Sequence, residues 1–222
     1  MRLLTLLLFV TACLRCDGPA ANEITTTGKT ADEPAAVPSP TGRTASDRTF
    51  KPGGFIGLVT AQSTPGSVRA AYGKDALVAE TLYGPEGVTY EGYVLFPGTD
   101  DAIELTFPET GEEAGVGGTI RSAGSHWQSA DHGVRIGTSL RDLERLNGGP
   151  FTFYGFEWDF GGLVADWKGG KLEGHRMALT YDWDSLEERE QQEVIGDQKI
   201  RSDLAVLAGA GVRVAEIYVS ME

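Results

Sequence analysis

The side chains best suited to chemistry in this 222-residue chain are three histidines, a few carboxylate pairs and one dense run of aromatics. His126 and His132 lie six residues apart in one loop-like stretch, and His175 falls much further along. A zinc site wants its ligands clustered at short helical or hairpin spacing. The spacing therefore predicts no metal site and assigns the histidines to exposed or packing roles. Ser125-His126 sets a hydroxyl beside a base, but no Gly-x-Ser-x-Gly elbow or placed acid goes with it. Asp159-Phe160-Gly161 spells the magnesium triplet of protein kinases without their glycine-rich loop, strand lysine or catalytic loop, so it reads as a turn. Asp182-Trp183-Asp184, with Glu187 and Glu188 beyond, lacks the bend glycine and further oxygens of a calcium loop. Those carboxylates suit the positive end of a helix instead. Gly98-Thr99-Asp100-Asp101 is turn chemistry. No catalytic constellation emerges, and no cofactor or metal is expected.

The aromatics are the stronger signal. Phe153, Tyr154, Phe156, Trp158, Phe160 and Trp167 crowd fifteen positions. Along a strand, alternate residues face opposite sides. Phe151, Phe153, Gly155, Glu157 and Asp159 would share one face, and Thr152, Tyr154, Phe156, Trp158 and Phe160 the other. Two arrangements satisfy that pattern. In one, both faces are core, the second covered by loops or the C-terminal segment. In the other, one face presents aromatics to a partner or ligand. For the second arrangement the residues singled out are Tyr154, Phe156, Trp158 and Trp167. They would act as desolvated anchors for a protein, or as stacking platforms for a glycan or small molecule.

These side chains need elements to hold them. His132–Phe151 reads as a strand turning at Gly137 into a short helix. Ser139 is the N-cap, Asp142 favours the positive end, and Leu140, Leu143 and Leu146 form the apolar face. Asn147-Gly148-Gly149-Pro150 stops it. A weaker copy lies 75 residues earlier, with Thr64 matching Ser139, Val68 matching Leu143 and Gly73 matching Gly148. Pro65 suits its first helical position. Matched caps around a matched apolar position point to an internal repeat.

Short β-rich runs follow each helix: Leu77–Tyr83, Val88–Phe96 and Ala102–Phe107, then Phe151–Phe156, Leu163–Trp167 and Lys171–Tyr181. Thr119–Arg121 adds another short strand. The expected fold is α+β: two tandem helix-plus-three-stranded-meander units, at about 55–121 and 130–182, forming an antiparallel sheet with helices on one face. A C-terminal extension, 183–222, adds a helix capped at Asp184 or Ser185, a helical turn at Ser202–Ala208, and a strand at Val212–Val219 on a sheet edge.

Residues 1–12, MRLLTLLLFVTA, combine an arginine with a short apolar run and small residues, the pattern of a secretory signal too short to span a membrane. Val10-Thr11-Ala12-Cys13 resembles the bacterial lipobox. The resemblance implies cleavage before Cys13 and attachment of acyl chains such as palmitate to it. Cys16 is a poor alternative, because Arg15 occupies a position that needs a small residue. Residues 13–49 are rich in Thr, Pro, Ala, Gly and Ser, and read as a lipid-anchored flexible linker. The globular domain is then 50–222, with 14 Lys/Arg against 27 Asp/Glu, a net charge of 14 − 27 = −13. Such a balance argues against nucleic acid as a partner. No cysteine follows Cys16, so packing alone stabilises the domain.

Tandem helix–meander units behind an export signal resemble the repeat fold of β-lactamase inhibitory proteins and of small outer-membrane assembly lipoproteins. The resemblance covers roughly Phe55–Tyr181 and is carried by Gly133–Leu143 and its echo, without the inhibitors' disulfides. Gly155–Gly162 also resembles a block from uncharacterised bacterial envelope lipoproteins. What this implies is a location and a fold more than a function. Together with the aromatic run and the lack of a catalytic constellation, the function expected is that of a non-enzymatic, lipid-anchored cell-envelope protein that binds another protein, or alternatively a glycan or small molecule. Leu14 after the anchor cysteine, by resemblance to the enterobacterial sorting rule, implies the outer membrane.

Overall fold

A computed structural model describes residues 42–84, 87–108 and 115–222. The signal segment, Cys13 and the linker up to residue 41 lie outside the described residues.

Both helices form where their caps direct. α1, Pro65–Tyr72, opens on Thr64, whose hydroxyl accepts the Ser67 amide at 3.2 Å, and closes on Gly73. α2, Leu140–Asn147, opens on Ser139, which accepts the Asp142 amide at 3.2 Å, and closes on Gly148 in the left-handed region. Each closing glycine donates its amide to the carbonyl four residues back, Arg69 and Glu144. Val68 and Leu143 are the buried residues at matching positions. The N-caps and the buried apolar position correspond at 75 residues, but the closing glycines differ: Gly148 is left-handed, whereas Gly73 takes φ 102° and ψ 149°.

Strands supply the rest, and they are mostly antiparallel. After α1 come β4 (Leu77–Tyr83), β5 (Thr89–Leu95), β6 (Ile103–Thr106) and β7 (Val116–Ile120), following three short N-terminal strands: β1 (Thr49–Lys51), β2 (Phe55–Ile56) and β3 (Val59–Thr60). β8 (Gln128–Ser129) precedes α2. After it come β9 (Thr152–Tyr154), β10 (Val164–Asp166), β11 (Arg176–Thr180), α3 (Glu188–Val194), β12 (Lys199–Arg201) and β13 (Arg213–Met221). They assemble as a six-stranded sheet β11-β13-β7-β6-β5-β4, a four-stranded sheet β3-β2-β1-β8 and a three-stranded sheet β10-β9-β12.

The α+β class is as expected, but the strand order is not that of two side-by-side meanders. The first helix leads four meander strands rather than three, because Val116 and Ile120 bury their side chains and extend the ladder. The strands after α2 part company. β10 pairs with β9 across a register shift, the residue before it forms an isolated Leu163–Ala178 bridge to the next strand, and β11 joins the six-stranded sheet.

β13 does not sit at an edge. It lies between β11 and β7 because both its backbone edges find partners while Val214, Ile217, Val219 and Met221 bury. A bulge opposite Ala178 and Leu179 lets Val214 and Ile217, three apart, face the same side. The segment before α2 also docks here, with Gly137 donating to Val214 and Leu140 to Val212.

Two further boundaries move. Packing reaches back before Phe50: the Arg43 guanidinium stands 3.2 Å from the Phe55 ring centre, and Arg48 pairs with Asp101 at 2.8 Å. α3 starts at Glu188, its N-cap Glu187 bonded through its amide to the Glu190 carboxylate, so the cap falls three residues past Asp184. Ser202 opens no helix. It is buried, where it accepts the Phe151 amide at 3.0 Å and donates to Glu144 at 2.6 Å. A short 3-10 turn at Ala205–Ala208 follows.

One continuous apolar cluster runs from Phe50 to Met221, with Trp127, Phe151 and Phe153 among its largest fully buried members. No helix among the described residues is long and apolar enough to cross a membrane.

Candidate functional site

The aromatic run begins as strand and ends as a turn. Phe151 and Phe153 point into the core and Thr152 and Tyr154 are half-buried, as alternation requires. At Gly155 the alternation fails. Its amide bonds to the Gln198 carbonyl at 2.8 Å, and a β-carbon there would lie 2.5 Å from the Gly196 carbonyl oxygen. Only glycine lets the backbone approach the α3–β12 connection so closely. Phe156 then exchanges bonds with Val194 and Gly196, which turns its ring inward.

Two of the four residues singled out from the sequence are therefore core. Phe156 is 3% exposed and stacks on Tyr181 with ring centres 4.3 Å apart. Trp167 is 4% exposed, packs 4.6 Å from Phe151 and donates its indole N–H to the His175 carbonyl at 2.7 Å. Strict alternation placed Phe156 on the same side as Tyr154, but the pairing at Gly155 breaks the period between them.

Beyond Phe156 the chain reverses. Glu157 takes a positive φ of 59°, unfavourable for a side-chain-bearing residue. Gly161 donates to the Trp158 carbonyl at 2.7 Å, closing the turn. Gly162, φ 73°, donates to Tyr154 and accepts from Leu179, where a β-carbon would collide with the Leu179 carbonyl at 2.0 Å. Trp158 and Phe160, at the tip of this doubly anchored turn, are each 59% exposed. Tyr154 supports Phe160 from the strand, its ring 6.0 Å from Phe160 and 5.6 Å from the Lys199 ammonium. Trp183, 46% exposed, stands 5.8 Å from Tyr181 and so extends the aromatic chain that begins at Phe153 and Phe156.

The turn itself carries two carboxylates, Glu157 and Asp159, and Asp182 and Asp184 flank Trp183 in the chain. The Tyr181 hydroxyl is buried and finds no partner. Burial first, and then the Glu157 carboxylate, push its pKa up to about 12. Asp159-Phe160-Gly161 is a turn, as its isolation from other kinase motifs predicted.

No family model, curated protein or solved structure matches this chain. The functional reading therefore rests on its own residues.

The histidines divide in a way the spacing did not foresee. His126 is exposed, its Nδ1 donating to Asp101 at 3.0 Å. Burial opposes ionisation of Asp101, but the His126 amide, the Arg48 guanidinium and the His126 ring together hold its carboxyl below the ordinary range. The Ser125 hydroxyl accepts the Trp127 amide at 3.3 Å. His132 and His175, far apart in the chain, meet with ring centres 5.6 Å apart in an open cleft of about 490 Å³ beside the β1–β2 turn.

Proposed function

We propose that this chain is a non-enzymatic, lipid-anchored cell-envelope protein that binds another protein through the Trp158–Phe160 turn, with Tyr154 as its support. One observation carries the binding half: two large aromatics are more than half exposed on a turn whose ends are fixed by glycines and by bonds to two strands. Covering either ring in a complex would contribute about 1.5–3 kcal/mol, and a pre-ordered turn loses little freedom on binding. Glu157 and Asp159 flank the rings, so the matching partner surface is an apolar pocket with a basic rim. The anchoring half rests on the export signal, the Val10–Cys13 pattern and the linker behind it. Leu14 favours the outer membrane.

The paired caps and buried anchors, 75 residues apart, support reading α1 and α2 as copies of one ancestral helix–meander unit. On that reading the C-terminal strand was inserted between the copies, in a fold akin to the β-lactamase inhibitory and assembly-lipoprotein repeats.

The test is capture from detergent-solubilised envelope by the full chain and by its Trp158→Ala/Phe160→Ala variant. A protein held by the wild type, released by raised salt, and lost with the variant is the expected result. Saturable retention of a purified glycan in place of any protein would replace this reading with the glycan-binding one.

A further inference from the structure

The cleft that joins His132 and His175 lies apart from the aromatic turn. His175 belongs to the tight turn entering β11 and is only 7% exposed. Its Nδ1 lies 3.1 Å from the Leu172 carbonyl oxygen, which can only accept, so Nδ1 carries the proton. The neutral ring then holds a lone pair on Nε2, and that atom is buried with no hydrogen-bond partner. Burial is the largest effect on this imidazole and lowers its pKa, as does His132, while the Leu172 bond and the Asp131 charge work the other way. One ring nitrogen donating to a backbone carbonyl, the other left with a free lone pair, is how proteins orient a metal-ligating histidine.

His132 supplies the second ring. Two imidazoles sharing one ion, at metal–nitrogen distances of about 2.0–2.1 Å and a near-tetrahedral angle, would have ring centres roughly 5–5.5 Å apart. These rings are 5.6 Å apart and inclined by 56°. We propose that the cleft binds a divalent transition-metal ion of the zinc and copper class through the imidazoles of His132 and His175.

The charges facing the pair balance. Lys51, Lys171 and Arg176 line the cleft, against Asp131, Glu173 and Glu222. Lys51 is already engaged by Asp131 at 3.3 Å, on a bond exposed enough to exchange. Asp131, next to His132 in the chain, is the nearest compensating charge. Among the described residues no three His, Cys, Asp or Glu side chains converge as a metal-holding group, so water completes the coordination through the open side. Imidazole ligands suit zinc and copper rather than magnesium or calcium, and copper binds such sites most tightly.

The experiment titrates untagged full-length protein with Cu²⁺, read by electron paramagnetic resonance, and with Zn²⁺, read by calorimetry. One equivalent bound through two imidazole nitrogens is expected, with affinity falling at least ten-fold in His132→Ala and unchanged in His126→Ala. His132 is half-exposed, so its replacement leaves the fold intact and also separates this site from the Cys16 thiol. His175→Asn is the companion variant, read only once its cooperative melting is shown. Absence of binding, binding that survives His132→Ala, or equal loss in His126→Ala would each overturn the assignment.

Discussion

Between Phe156 and Trp167 the aromatic run contains side chains with opposite duties, and replacing them separates those duties. Phe156 and Trp167 fill the core, so Phe156→Ala or Trp167→Ala should each cost about 3–5 kcal/mol, the usual range for emptying a large buried site. Trp158→Ala and Phe160→Ala remove exposed rings and should change stability by no more than about 0.5 kcal/mol. Chemical denaturation of the four variants checks both halves of this contrast. If Trp158→Ala melted like Trp167→Ala, the indole would be structural and the turn would lose its claim as a binding surface.

Tyr181 gives a pH signature at the same scale. Its phenol is neutral in the fold, and its folded pKa is raised from the ordinary 10 to about 12. The unfolded chain ionises first, so the stability tied to the neutral phenol is intact below pH 10 and lost as pH climbs towards 12. Wild type should therefore weaken over that window, and Tyr181→Phe should weaken less. Because the buried hydroxyl has no partner, Tyr181→Phe should also be at least as stable as wild type at neutral pH. Melting curves from pH 7 to 11.5 test both statements. A destabilised phenylalanine variant at pH 7 would mean the hydroxyl makes a bond that stabilises the fold.

At the scale of elements, α2 is fastened at its end as well as its start. Asn147 is buried and gives its side-chain amide to the Gly149 and Trp167 carbonyls, both at 3.0 Å, while its side-chain oxygen accepts the Leu172 amide at 3.2 Å. One residue thus ties the helix to the loop that carries Trp167 and leads to His175. Asn147→Ala leaves those groups unpaired and should cost about 2–3 kcal/mol, measurable by urea denaturation. A loss below about 0.5 kcal/mol would show that the loop holds its shape without this tether.

Local signals were the legible ones. Thr64, Ser139, Gly73 and Gly148 announce both helices, because a cap is satisfied by residues three or four positions away. The turn at Asp159–Gly162 was equally visible. Asn147, by contrast, reads in sequence only as a helix stop, since two of its side-chain partners, Trp167 and Leu172, lie 20 and 25 residues downstream and nothing in the spacing marks them. Alternation assigned Phe156 to the wrong side because the interruption at Gly155 comes from Gly196 and Gln198, forty residues downstream. The meeting of His132 with His175 depends on how β11 enters the six-stranded sheet. Periodicity carries no trace of it.

Across the whole molecule, β13 decides what local reading could not. Its apolar alternation predicts a strand but not its neighbours. By lying between β11 and β7 it joins the two helix-led halves, receives the segment before α2, and accepts the Gly53 amide beside the cleft. The final residues of the described fold therefore fill an inner position of the main sheet, next to its β11 edge, and one core spans both halves. The aromatic turn and the histidine cleft involve different parts of this frame. The turn is held by β9, by the β12 approach and, at Gly162, by Leu179 near the far end of β11, while the cleft is held by the β1–β2 turn, β13 and the start of β11 at Arg176. Binding at one should leave the other intact, which separates the partner-binding proposal from the metal-binding one.

The most direct measurement replaces Asp159, at the tip of the turn, with a benzophenone-bearing residue in the full-length chain and irradiates intact cells. A discrete protein adduct that disappears when Trp158→Ala and Phe160→Ala are added to the same chain is the predicted result. No adduct, or one that persists without the two rings, would contradict a docking role for the turn.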